Sequence, residues 1–67
     1  MSLDPERWPM VLPVVAWLGV ADWLQVDGDR MLAGAIRAAT KGRRLGEEVA
    51  VELTDDERER VMAVLRG

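Results

Sequence analysis

Residues 8–24 read WPMVLPVVAWLGVADWL, a run apolar on every side except at Asp22, in a chain of only 67 residues. Advancing ~100° per residue from Val14 puts Val14, Trp17, Leu18, Ala21 and Leu24 on one helical face. Val15, Ala16, Gly19, Val20 and Trp23 fall on the other. A helix apolar all round must be enclosed by its own protein, by lipid or by a partner. The remaining residues supply only short amphipathic elements, so the run predicts association. Because Trp17 and Trp23 lie on opposite faces, one of the two indoles should stay uncovered in an isolated monomer.

Working outward toward the N-terminus, Asp4-Pro5-Glu6 has the form of a helix start, with Asp4 as N-cap and Pro5 in the first turn. Pro9 and Pro13 each remove an amide donor and push the preceding residue out of the helical region. The expectation is a turn or short helix near residues 5–11, followed by the main helix from Pro13 to about Gln25. Toward the C-terminus, Asp27-Gly28-Asp29 breaks the pattern and caps a second helix at about 28–41. Its apolar stripe is Met31, Leu32, Ala35, Ile36 and Ala39, with Gly34 and Ala38 beside it, small enough to admit another helix closely. Gly42 ends it, and Arg37 and Lys41 sit where positive charge complements the helix dipole.

After Gly46 the period changes to two. Val49, Val51 and Leu53 alternate with Glu48, Ala50 and Glu52, the pattern of a half-buried strand. An extended segment packed between helices fits the same residues, and Glu47 and Glu48 could instead open a helix. Thr54-Asp55-Asp56-Glu57 is a capping box with acids in the first turn. It starts a third helix at about 55–66 that turns Val61, Met62 and Leu65 inward, with Arg58 beside them. The fold class expected is mainly α: a small three-helix domain, 1–67, with one short strand or extended segment at about 48–53. One strand needs a mate, and nothing else in the chain alternates convincingly. The natural mate is then the same strand of a second copy, antiparallel across a two-fold axis, so oligomerisation or a partner completes the fold.

Composition removes several kinds of chemistry. There is no Cys and no His, hence no disulfide and no zinc site of the Cys/His type. A core this small rarely yields more than ~3–5 kcal/mol, which leaves a second subunit or partner chain as the expected staple. With one Ser (Ser2) and two Thr (Thr40 and Thr54), no Ser–His or Cys–His pair can be assembled. The chain is expected to be neither an enzyme nor a carrier of any cofactor. Asp27-Gly28-Asp29 begins like a calcium loop, but positions 31 and 33 are Met and Ala, so the ligand series stops after two. It is read as a turn with an N-cap, and no metal is expected.

Twelve acids against nine bases give a net charge of −3, a poor start for binding phosphate backbones. The bases Arg37, Lys41, Arg43 and Arg44 do gather in the middle, so a dimeric nucleic-acid-binding regulator contacting phosphates through these four is the alternative function. They lack an interleaved aromatic or a Gly-rich phosphate loop, and are expected to answer the acids of residues 47–59 instead. Asp22 reads either as an exposed residue near the helix end or as a buried carboxylate pairing with Arg30, Arg37 or a partner's base.

A spanning helix needs about 20 apolar residues, and the uncharged run stops at Ala21 after two prolines. Membrane insertion is not expected, and peripheral attachment lacks a basic polar face. The absence of Cys fits a reducing, cytoplasmic compartment. Abundant Arg and Ala with a single Lys fit a GC-rich bacterial or phage genome.

VAVELTDDERERVMAVLRG (49–67) resembles the strand and first helix of ribbon-helix-helix repressors. LTDDERERVMAVL (53–65) is similar to the opening helix of LuxR-type DNA-binding domains. Each covers less than a third of the chain, and the helices completing either motif do not follow before Gly67. Glu48 and Glu52 also stand where the repressor strand displays basic or amide side chains. Membership of neither family is drawn from them.

The function expected is a non-catalytic protein–protein interaction module: a small regulatory, adaptor or inhibitor protein. Val14, Trp17, Leu18, Val20 and Trp23 form its interface. Its partners are a second copy, a dimer being favoured, and/or a larger protein.

Overall fold

The structure, a computed structural model, describes residues 6–67. It contains three helices and a two-stranded antiparallel sheet, in the order β1 (Trp8–Pro13), α1 (Val14–Val26), α2 (Arg30–Thr40), β2 (Glu48–Leu53) and α3 (Asp55–Arg66). The expected N-cap at Asp4 and Pro5 lies outside the described residues.

The segment before α1 is a strand, not the turn or short helix its prolines suggested. It pairs with β2 in the register Trp8↔Leu53, Met10↔Val51 and Leu12↔Val49. The mate of β2 is therefore in the same chain rather than in a second copy. Residues opposite one another share a face. Trp8, Met10 and Leu12 thus line the inner side with Leu53, Val51 and Val49, while Pro9, Val11 and Pro13 look outward with Glu52, Ala50 and Glu48.

The prolines also decide which way the main chain points. Successive residues of a strand direct their N–H and C=O to opposite edges, and proline has no N–H to give. The pairs Pro9↔Glu52 and Pro13↔Glu48 must then be bonded through their neighbours. Accordingly, Val14 N–H donates to the Glu47 carbonyl at 2.8 Å, continuing the ladder past Pro13. Trp8, Met10 and Leu12 face β2, whereas Pro9, Val11 and Pro13 face the open edge. That edge presents a single donor, the N–H of Val11, which is how prolines are tolerated in edge strands.

The helix α1 grows directly from β1. Pro13, its N-cap, offers no capping side chain, and the first amides of a helix lack internal partners. Backbone carbonyls of the loop before β2 satisfy two of them: Val14 N–H binds Glu47 O at 2.8 Å and Val15 N–H binds Leu45 O at 3.0 Å. At the other end, Gly28 takes φ +92°, while Asp29 N–H reaches Leu24 O and Gly28 N–H reaches Gln25 O. This is a Schellman stop. Asp29 then caps α2, its side chain accepting from Leu32 N–H, so the Asp27–Asp29 segment is a turn and cap as the sequence implies. Thr54 and Glu57 form the reciprocal capping box of α3.

The core lies between the inner face of the sheet and the helices. Val14, Trp17, Val20, Ala21 and Leu24 enter from α1, Leu32, Ala33 and Ile36 from α2, and Val61 from α3. Trp17 is fully buried and donates its indole Nε1–H to the Val49 carbonyl at 2.8 Å. That bond ties the longest helix to the sheet and satisfies a polar atom that burial would otherwise penalise.

Three faces differ from the expected wheel. On α1, Val20 turns inward and Leu18 outward, because the sheet lies on the Trp17–Val20 side. On α2 the buried stripe is Leu32, Ala33, Ile36 and Thr40, while Met31 is 89% exposed and Ala35 also faces out. Thr40 tolerates burial because its hydroxyl donates to the Ile36 carbonyl at 3.0 Å. Gly34 meets nothing within 4 Å of a built Cβ, so no helix packs over it, and Ala38 beside it is exposed. On α3, Val61 is buried and Val64 packs on the core, but Leu65 is exposed.

Candidate interaction surface

Seen along its axis, α1 carries its buried residues on a little under half of its circumference. The other side, Val15, Leu18, Gly19, Asp22, Trp23, Gln25 and Val26, faces out. Trp23 is 63% exposed and Val26 79%. Only Asp22 and Gln25 among these seven are polar, although they occupy the solvent side of a helix, where polar residues are the rule.

Charged groups bordering this face form two ion pairs within the chain, while the exposed Asp27 carboxylate at the groove has no ion-pair partner among the described residues. Asp22 accepts a bond from Arg37 of α2 at 2.8 Å, and Arg37 also contacts the Gln25 side chain. At the opposite flank Arg60 of α3 pairs with Asp29 at 2.5 Å. Exposed pairs of this kind add little stability; their effect is to hold polar heads in place around an apolar strip.

Beside Trp23 lies a groove of about 760 Å³ between the end of α1, the α1–α2 turn and the last turns of α3. Trp23, Leu24, Ala63 and Val64 give it an apolar wall, and Asp29 and Arg60 a paired polar one. Trp23 is thus a projecting indole with a hollow next to it. Large amphipathic aromatics of this kind are enriched where proteins bind one another.

The five expected interface residues separate into two groups. Val14, Trp17 and Val20 lie in the core, at most 1% exposed, and cannot meet a partner without unfolding. Leu18 and Trp23 remain on the surface. Trp17 and Trp23 divide as their opposite faces predict, one covered and one open. Val15 and Val26 are exposed on the same side of α1, although neither is among the five residues expected from the sequence. The helical wheel already placed Val15 on the face away from Trp17, but Val26 lay beyond the expected helix end at Gln25.

The four bases of the alternative site are dispersed in their partnerships. Arg37 is held by Asp22, and Arg43 by Glu47 at 2.9 Å in an i,i+4 pair. Lys41 and Arg44 sit exposed in the α2–β2 connection. Asp22 is exposed rather than buried, and its mate is Arg37 of the same chain. Among the described residues there is no cluster of three or more metal-ligating side chains, and no helix is long and apolar enough to cross a membrane. No protein-family model matches this chain, and comparison with curated proteins and with solved structures likewise finds no match, so its function has to be read from its own surface.

Proposed function

We propose that this protein is a non-catalytic protein–protein interaction module whose first partner is a second copy of itself, docked through the outward side of α1. The observation that carries the reading is the exposed Trp23 indole set beside a groove on an apolar helix face. A projection and a hollow on the same patch are self-complementary under a two-fold axis: each Trp23 can enter the groove beside the other. Val15, Leu18 and Val26 extend the contact along the helix. Gly19, with open space where a Cβ would be, lets the facing helix approach. The occupied charges at Arg37 and Arg60 form the polar rim expected around such a patch.

Sedimentation over a range of concentrations tests this. The wild type should exceed its monomer mass of 7.5 kDa. Trp23→Ala should weaken association by about 30-fold or more, the hot-spot threshold of ~2 kcal/mol. Its far-ultraviolet circular dichroism should be unchanged, since the indole lies outside the core. Leu18→Asp should dissociate the pair as well. A wild type that remains a monomer at its highest soluble concentration would remove self-association, and an unaltered mass in both variants would remove the α1 face.

A further inference from the structure

The two edges of the small sheet are unequally protected. The β1 edge is blunted by Pro9 and Pro13. On the β2 edge, the same alternation that turns Val49, Val51 and Leu53 toward β1 sends the main-chain groups of Glu48, Ala50 and Glu52 outward. Three N–H donors and three carbonyls stand there in a row without a proline. Among the described residues, no backbone or side-chain group bonds to them. Their side chains lie on the outer face of the sheet: a small Ala50 between the exposed carboxylates of Glu48 and Glu52, neither of which has an ion-pair partner among the described residues.

We propose that the β2 edge is a strand-addition site for an extended segment of a partner protein carrying Lys or Arg at alternate positions. Such a segment would complete the row of main-chain bonds, the usual source of affinity when a peptide joins a sheet. Its basic side chains would fall on the outer face opposite Glu48 and Glu52, where unlike charges across strands stabilise the pair and like charges oppose it. The same rule disfavours a second copy here. A two-fold axis through Ala50 would set Glu48 directly against Glu52 of the other chain, and vice versa. The carboxylates thus admit a basic strand and discourage self-pairing, leaving the α1 face free for the association proposed above.

Hydrogen exchange followed residue by residue tests the site, with a peptide of alternating Lys and Val as the probe. In the free protein the amides of Glu48, Ala50 and Glu52 should exchange much faster than those of Val49 and Val51. The peptide should slow these three by about tenfold or more, and a peptide of alternating Glu and Val should not. Ala50→Pro should abolish the effect, and Glu48→Lys with Glu52→Lys should transfer it to the acidic peptide. Three outcomes would overturn the proposal: no slowing by the basic peptide, equal slowing by both peptides, or protection rising with protein concentration alone, which would make a second copy the occupant. Because Trp23→Ala leaves β2 untouched, the response should persist in that variant even if the α1 reading fails.

Discussion

At the scale of single residues, Trp17 and Trp23 show how six positions of one helix separate a core indole from an exposed one. Trp17 is buried and bonded through its Nε1 to Val49 O; Trp23 is mostly bare. Trp17→Phe keeps an aromatic of smaller volume but removes the indole bond to the Val49 carbonyl, which then keeps only its ladder partner on Leu12. A loss of about 0.5–1.5 kcal/mol is expected from the missing hydrogen bond, an appreciable share of what a domain this small can hold. Chemical denaturation monitored by the remaining indoles would measure it, and a loss well below that range would show the bond to be dispensable. The opposite fates of the two tryptophans were legible in the ~100° spacing. The exchange of Leu18 for Val20 was not, because the two lie at opposite margins of the stripe through Trp17, Ala21 and Leu24 and only the position of the sheet chooses between them.

At the scale of elements, legibility follows how local the determining forces are. The capping box at Thr54 and the stop at Gly28 depend on a few neighbouring residues, and both stand where the sequence puts them. The strand β2 announces itself by strict alternation, since one of its faces is wet. The strand β1 does not, because Val11 on its outer face is as apolar as Met10 and Leu12 on its inner face, and two prolines argue against any regular structure. Proline is nevertheless compatible with an edge strand when its missing N–H would have pointed to solvent, and Pro9 and Pro13 occupy those positions. Replacing both by Val should leave the β1–β2 ladder intact and expose two further donors on an apolar strand. The expected result is a protein with unchanged circular dichroism when dilute, but one that aggregates with a thioflavin response on concentration. Unaltered solubility would mean that the prolines serve another purpose.

At the scale of the whole molecule, the excess apolar surface evident in residues 8–24 is real but smaller than the sequence implies. The sheet formed by β1 takes Trp17 and Val20 off the surface, and what remains is the strip from Val15 to Val26. The molecule also has an unusual seam. β1, α1 and α2 precede the exposed Lys41–Gly46 connection, β2 and α3 follow it, and the Trp17–Val49 bond crosses from one part to the other along with both rows of the sheet. The first two amides of α1 are likewise held by carbonyls of Leu45 and Glu47, beyond Arg44. Residues 1–44 and 45–67 should therefore be poorly folded when made separately and should recover the near-ultraviolet signal of Trp17 when mixed, whereas indifference to mixing would show that the covalent link is essential. If the halves do recombine, this small protein is a ready-made split reporter: two complementary fragments whose reunion inserts one tryptophan into a dry interior and can be read by its fluorescence alone.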